Sequence, residues 1–271
     1  MPNQNIICPV CGGPTSAAGE VDFNKSGADW FEGERQFPVS DEVVAYHRCR
    51  SCGFMFTGYF DSWAGDDFLA RVYNADYALA DPPFLDERPR RLAAYLECVL
   101  GEVLPEVSLL DYGAGEGKMV EGLRRAGLEQ GVVYDPYHAS TPVPEGRYEL
   151  VTAFEVVEHV PDQGALFDQL SALVAPGGVL LLSTLLQPED IESTGAGWWY
   201  ACPRNGHLAF HTLDSLALLL DARGFAVESL TTELHMATRG PARLAPRFRQ
   251  VGQTLEVSGS SSSDGEGPVA G

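Results

Sequence analysis

The run 107–123, VSLLDYGAGEGKMVEGL, restricts the fold of this 271-residue chain more than any other stretch. An apolar strand-like segment ends at Asp111 and Tyr112, turns through Gly113, Gly115 and Gly117, and enters an amphipathic helical segment closed by Gly127. Glycine accepts the backbone angles of such a turn and lets the main chain approach a ligand closely. The same alternation continues downstream. GVVYD reads as a second strand and RYELVTAFEVVEH contains a third, while DQGALFDQLSALVA reads as a helix ended by Pro-Gly-Gly. GVLLLSTLL is apolar enough for the middle of a parallel sheet. TLDSLALLLDARGF is a further helix with Thr212 or Asp214 as N-cap, and AVESLTTEL reads as a closing edge strand. Strands alternating with helices in this way predict an α/β doubly wound sheet.

A different pattern precedes it. Cys8/Cys11 and Cys49/Cys52 form two Cys-x-x-Cys pairs, each followed by glycine. Two such knuckles supply the four thiolates of a tetrahedral structural zinc site. The 37 residues between Cys11 and Cys49 exceed the usual ribbon spacing and require a long hairpin or loop between the knuckles. Disulfides are the competing reading, disfavoured in a cytoplasmic chain. Cys98 falls in the amphipathic run RRLAAYLECVL and is expected in the core; Cys202 has no assignment. The predicted division is a zinc-binding module over 1–60, a linker over 61–87, a main domain over 88–236 and a mostly disordered tail over 237–271. A helix from about 89 to 104 opens the main domain, and the tail ends in the low-complexity run SGSSSSDGEGPVAG.

Charge narrows the function. Thirty-eight acidic against 18 basic side chains give a formal charge of −20. Binding through phosphates needs clustered Lys and Arg, so a nucleic-acid partner is not expected, and acidic membrane surfaces are disfavoured for the same reason. The basic segment RGPARLAPRFRQ reads as solvated surface. No apolar stretch approaches the roughly 20 residues that span a bilayer. The first residues lack the basic and apolar regions of a signal peptide, and a cytoplasmic location is expected.

The strand-end acids point to a cofactor. Asp111 closes the first strand, and Asp135 closes the second, 20 residues after Gly115. A carboxylate there accepts the hydroxyls of an adenosine ribose. A dinucleotide would place its diphosphate on the helix N-terminus, with Gly-x-Gly-x-x-Gly spacing. Here the spacing is Gly-x-Gly-x-Gly, with Asp111 below it and Glu116 inside the turn, which suits a cationic sulfonium better than a diphosphate.

DYGAGEG, YDP, FEVVEHV and APGGVLLLST resemble consecutive motifs of class I S-adenosylmethionine-dependent methyltransferases over about residues 88–235. The resemblance implies a Rossmann-like sheet and S-adenosylmethionine as methyl donor. Asp111, Gly113 and Gly115 would line the methionine portion, Asp135 would bind the ribose, and Phe154 and Glu155 would border the methyl-transfer site. The knuckles and Tyr-rich linker are similar to the zinc-containing sugar C-methyltransferases, in which case Tyr73 and Tyr77 would cover the cofactor. Only a dozen residues (PYHASTPVPEGR) follow Asp135 before the next strand, where the family fits a helix and a strand. The sheet is therefore expected to be trimmed around its third strand, with Tyr137 in a rebuilt adenine wall and a small zinc-ribbon-like module in front.

Methyl transfer to an acidic acceptor needs a base near neutrality, and His is the usual choice. His159 in FEVVEH is the first candidate, with His207 and His211 in NGHLAFH behind it; the resembling sugar enzymes use a matching Glu-His pair in proton abstraction. Glu155, Glu158 and His159 also form Glu-x-x-Glu-His, able to hold Mg²⁺ or Mn²⁺ with His207 or His211 as a further ligand. The same string occurs in small-RNA terminal 2′-O-methyltransferases and quinone-biosynthesis O-methyltransferases. Trp198, Trp199 and Tyr200 form either lid packing or an acceptor wall, with Arg204 placed for an acceptor phosphate or carboxylate. The expected activity is methyl transfer to a small metabolite or glycan precursor, O- ahead of C-methylation. The alternatives are an RNA methyltransferase and a non-catalytic cofactor-binding or scaffold protein whose zinc module binds a partner.

Overall fold

The computed structural model describes residues 6–137, 141 and 143–250. The N-terminal part contains β1 (Thr15–Asp22), α1 (Ala28–Glu32), β2 (Val43–Cys49) and β3 (Met55–Phe56). β1 and β2 pair antiparallel with Thr15 opposite Cys49, so a long hairpin does lie between the knuckles. Two short helices, α2 (Gly65–Arg71) and α3 (Tyr77–Ala80), follow before α4 (Glu87–Leu100). α4 buries Ala93, Leu96, Val99 and Leu100 along one face. Cys98, expected in the core, is exposed, because its position on the helix turns it away from that face.

The larger unit then alternates β4 (Ser108–Tyr112), α5 (Lys118–Arg125), β5 (Gln130–Tyr134), β6 (Tyr148–Phe154), α6 (Gln163–Leu173) and β7 (Val174–Ser183). It ends with α7 (Ile191–Thr194), β8 (Ala209–Phe210), α8 (Leu213–Asp221), β9 (Ala226–Ser229) and β10 (Leu234–Thr238). Thr212 caps α8 through a side chain that accepts from the Ser215 N–H. The larger sheet has six strands in the order β5-β4-β6-β7-β10-β9. β4 to β7 pair in parallel, and β10 runs antiparallel to both β7 and β9. The α/β class read from the alternation is the class observed. β5 has one strand partner among the described residues, consistent with a sheet shortened at this side. Residues 138–140 and 142, which follow it in sequence, lie outside the described residues.

Three expectations need correction. AVESLTTEL is not one edge strand: it turns after Ser229, and β10 inserts between β7 and β9. Met236 and Ala237 are fully buried, so the more apolar strand takes the inner position. The chain also does not leave the core at 236. Leu244, Ala245 and Phe248 join the core cluster of Leu96, Leu100 and Met236, and Arg243, Arg247 and Arg249 pair with Glu149, Glu102 and Glu228. Residues 251–271, the rest of the expected tail, lie outside the described residues. Finally, the N-terminal module is not built from the first 60 residues alone. Its four-stranded sheet, β1-β2-β3-β8, takes β8 from beyond the last parallel strand. Among the described residues no helix is long and apolar enough to cross a membrane.

Candidate active site

The glycine turn between β4 and α5 is tight for a steric reason. Gly113 has φ +75°, and a Cβ there would lie 2.4 Å from Val156 Cγ2. Its N–H and that of Ala114 donate to the Tyr134 carbonyl, at 2.8 and 3.1 Å, which ties the turn to the end of β5. The Gly115 N–H donates to Asp135 Oδ2 at 2.8 Å, and the Tyr137 N–H donates to Oδ1 at 2.8 Å. The two acids predicted to close adjacent strands therefore stand side by side at one edge of the sheet.

Two adjoining cavities open there. The smaller, about 90 Å³, is lined by Asp111, Gly113, Gly115, Phe154, Glu155 and Arg88. The larger, about 630 Å³, shares Gly113, Gly115 and Glu155 and adds Tyr73, Tyr77, Asp135, Tyr137 and His159. The predicted cofactor residues Asp111, Gly113, Gly115, Asp135, Phe154, Glu155 and Tyr77 are thus brought together around one continuous site. Asp111 is buried and accepts from Thr152 Oγ1 at 2.8 Å. Burial, only partly offset by that hydroxyl and reinforced by the charge of Asp135, raises its carboxyl to about 7. Such a group favours a cation placed against it.

Glu155 has a positive φ of 52°, unusual for a residue with a side chain. Ser183, opposite Phe154 in the β6–β7 register, holds it there. The Glu155 N–H donates to Ser183 Oγ at 2.9 Å, and that hydroxyl donates to Glu155 Oε1 at 2.7 Å. A strained conformation of this kind costs about 1–3 kcal/mol and persists where the surroundings over-determine it. Behind Glu155, the Tyr200 hydroxyl donates to Glu158 Oε1 at 2.6 Å and lies 3.2 Å from Glu155 Oε2.

The histidines separate. His159 lines the larger cavity, and its Nδ1 makes no hydrogen bond of good geometry. Burial, then the neighbouring His207 and Arg88, hold it well below the ordinary imidazole range, so the ring is neutral at pH 7. His207 stands behind it, ring centroids 4.7 Å apart, with Nδ1 at 2.9 Å from the Tyr200 carbonyl. Neither His207 nor His211 is among the residues lining the cavity. His211, with no exposed surface, pairs with Ser215 Oγ and Gln163 Oε1 at 3.1 Å each, which removes it from the group that reaches an acceptor.

Two clusters have metal-ligand chemistry. The sulfurs of Cys8, Cys11, Cys49 and Cys52 lie within 4.8 Å of one another. Their closest pairs, Cys8/Cys52 at 3.7 Å and Cys11/Cys49 at 3.4 Å, are too long for disulfides and near the roughly 3.8 Å edge of a tetrahedron with Zn–S of about 2.3 Å. N–H groups of Gly13, Ser51 and Cys52 donate to the sulfurs of Cys11 and Cys49. The second cluster is Glu158, His159 and His207, not Glu155, Glu158 and His159 as the sequence spacing suggests. Ser183 and Tyr200 engage Glu155, whereas Glu158 Oε2 and His159 Nδ1 are buried without partners.

Residues of the 198–204 loop are structural. Trp198 and Tyr200 are buried in the module core, and Trp199 meets Phe31 edge-on at 5.2 Å. Arg204, placed by sequence for an acceptor anion, is buried instead: it donates to the Val72 carbonyl and Asn74 Oδ1 and stacks on Phe37. Cys202 is fully buried, with its sulfur 3.4 Å from His207 Nδ1. Arg88, Thr152 and Ser183 escape a reading of the sequence, because each meets the site across elements: Arg88 from α4, Thr152 from β6 onto Asp111 and Ser183 from β7 onto Glu155. Tyr200, read there as lid or acceptor wall, bonds Glu158 and Glu155 instead. Only Ser183 left a signal, as the polar end of the most apolar strand.

A family model described as a methyltransferase domain matches residues 84–230, more than half of the chain. The chain is 30% identical over 150 residues to a ubiquinone biosynthesis O-methyltransferase of Bordetella avium, covering 44% of this chain and 61% of that one. It is 32% identical over 117 residues to the protein of the same name from Bradyrhizobium sp., covering 35% of this chain and 44% of the other. The match spans less than two thirds of either relative. Among solved structures, an O-methyltransferase family protein from Burkholderia thailandensis aligns with TM-score 0.46 and 16% identity over 64% of both chains. The glycine turn, both strand-end aspartates and all the parallel strands fall inside the matched residues: the chain belongs to the methyltransferase domain family.

Proposed function

We propose that this protein transfers a methyl group from S-adenosylmethionine to an oxygen of a small-molecule acceptor, with His159 taking the acceptor proton. The observation that carries this reading is the continuity of the site: Asp135 and His159 line one cavity, which adjoins the pocket of Asp111. The donor supplies an activated methyl on a sulfonium leaving group, so the protein's task is positioning and exclusion of water. Asp111 would meet the ammonium of its methionine portion and Arg88 the carboxylate. Asp135 would take the ribose hydroxyls, with Tyr73, Tyr77 and Tyr137 closing over the nucleoside. Glu155, held by Ser183, faces the point of transfer. His159 lines the acceptor side of the cavity and would take the proton there. The relatives named as ubiquinone biosynthesis O-methyltransferases support oxygen as the methylated atom. A small-molecule or sugar-type acceptor, not a nucleic acid, fits the formal charge of −20, and a cytoplasmic location is proposed with it.

Calorimetry with S-adenosylhomocysteine tests the donor site. Asp135→Ala should weaken binding by about 1.5–3 kcal/mol, the value of charge-assisted hydrogen bonds. No binding to the unaltered protein would end the proposal. Incubating a metabolite extract with methyl-labelled donor, followed by mass spectrometry, identifies the acceptor. His159→Ala should then lower turnover while leaving homocysteine-nucleoside affinity intact.

The four thiols are proposed to hold one structural Zn²⁺, read out as one equivalent released on thiol modification and lost in Cys11→Ser. A second reading of the acceptor side rests on Glu158 Oε2 and His159 Nδ1, buried and unpartnered beside His207. One carboxylate and two imidazoles suit Mn²⁺ better than Mg²⁺, which prefers oxygen ligands, and such an ion would draw a proton from an acceptor hydroxyl. Full activity after chelation, with the thiol-bound zinc retained, would remove it.

A further inference from the structure

His211 was a candidate base, and the structure withdraws it from the cavity without leaving it idle. Its Nε2 lies 3.1 Å from Gln163 Oε1. Gln163, 2% exposed at the first turn of α6, donates through Nε2 to the carbonyls of Val157 at 2.7 Å and Val160 at 2.6 Å. Those carbonyls belong to the first residue of the 3-10 turn Val157–His159 and to the residue after it, and the turn carries both Glu158 and His159. The two carbonyls fix the roles at His211 Nε2. A carbonyl only accepts, so the Gln163 amide must face both with its NH₂, and its oxygen must face His211. Oε1 can only accept there, so His211 carries its proton on Nε2. Its Nδ1 lies 3.1 Å from Ser215 Oγ, a hydroxyl that also reaches the Thr212 carbonyl at 3.0 Å.

The other end of this chain is the cysteine module. Phe54, two residues past Cys52, packs its ring on His211 with centroids 4.9 Å apart. Thr212 Oγ1 donates to the Cys52 carbonyl at 2.7 Å, which fixes the backbone beside His211 to the knuckle. We propose that His211 and Gln163 are a positioning pair that locks the Glu158–His159 turn and ties its placement to the cysteine knuckle. Its catalytic consequence rests on the reading of His159 as proton acceptor; the positioning itself does not.

The test uses the full chain and variants differing in one capability. His211→Leu and Gln163→Leu remove the relay, whereas His211→Gln keeps an N–H donor at the reach of Nε2. Hydrogen exchange of the segment 156–162 needs neither acceptor nor donor. It should quicken at least tenfold in both leucine variants, with β4, β6 and β7 unchanged, and return most of the way in His211→Gln. Exchange unchanged in the turn, or quickened uniformly across the sheet, overturns the proposal, as does His211→Gln behaving like His211→Leu. Should the leucine variants fail to fold, the ¹⁵N spectrum of His211 in the unaltered protein decides: the Nε2–H tautomer is required, and Nδ1–H refutes it. With an acceptor in hand, turnover should fall at least tenfold in Gln163→Leu while S-adenosylhomocysteine affinity stays within threefold. An unaltered protein that transfers no methyl group would overturn the proposed function, and the exchange and spectral results would still judge the pair.

Discussion

Asp111 sits where folding and binding make opposed demands. Its carboxyl is buried at the end of β4, and burial raises it from 3.8 to about 7. The sign follows from linkage. Above pH 7 the cofactor-free protein holds a buried charge that costs stability. As pH falls through 7, the folded chain takes up a proton that the unfolded chain binds only near 4, and that cost is relieved. Asp111→Asn should therefore raise the melting temperature of the cofactor-free protein at pH 8, by the equivalent of roughly 2–4 kcal/mol. The same change should weaken S-adenosylhomocysteine binding at least tenfold. In the unaltered protein that affinity should fall as pH drops below about 7, since a neutral carboxyl no longer attracts an ammonium. An asparagine variant with unchanged melting and affinity would show that the charge is neither strained nor used. Asp111 and Asp135 were legible in the sequence because each acid closes its strand; the Gly115 N–H that Asp135 accepts follows from the pairing of β4 with β5.

The segment between β7 and α8 is the element that joins the two sheets. It contributes β8 to the module sheet, and the Tyr46 hydroxyl donates to its His207 carbonyl at 2.7 Å. Its 3-10 turn at Gly195 presses on β1: with φ +50°, a Cβ on Gly195 would lie 2.1 Å from the Ala18 carbonyl oxygen. Backbone cannot swing aside as a side chain does, so Gly195→Ala should cost about 2–4 kcal/mol in urea unfolding. Gly240→Ala is the control, with a similar φ of +74° and nothing within 4 Å of the added carbon. It should cost only about 1 kcal/mol. Equal costs would show that the seam yields. The aromatic run 198–200 hid this role: in sequence it reads equally as lid packing or acceptor wall. The choice depends on Phe31, Phe210 and His207, which meet it only in three dimensions.

At the scale of the molecule, the chain closes on itself later than its hydropathy implies. After β10 the sequence turns basic, yet Phe248 is fully buried against the core cluster of α4 and the sheet. Phe248→Ala should destabilise by about 3–5 kcal/mol in urea unfolding. Arg249→Ala, removing a half-exposed guanidinium from Glu228, should change stability by less than about 1 kcal/mol. The reverse ranking would mean that charge, not burial, docks this segment. Single apolar residues spaced among arginines carry no strong periodic signal, which is why the segment reads as solvated surface.

The sequence alone determined what is local. Alternating apolar segments set the α/β sheet, glycines set the turn, and contiguous acids and paired cysteines set the cofactor edge and the knuckles, because backbone geometry acts within a few residues. Which histidine meets the cavity was decided by tertiary structure. So were the pairing of Glu158 with His207 in place of Glu155, the burial of Arg204, and the sharing of β8 between sheets. Each rests on partners more than 40 residues apart, such as Gln163 with His211 and Glu158 with Tyr200. Hydrogen bonds between such partners form only after the two sheets have packed, so no spacing along the chain records them.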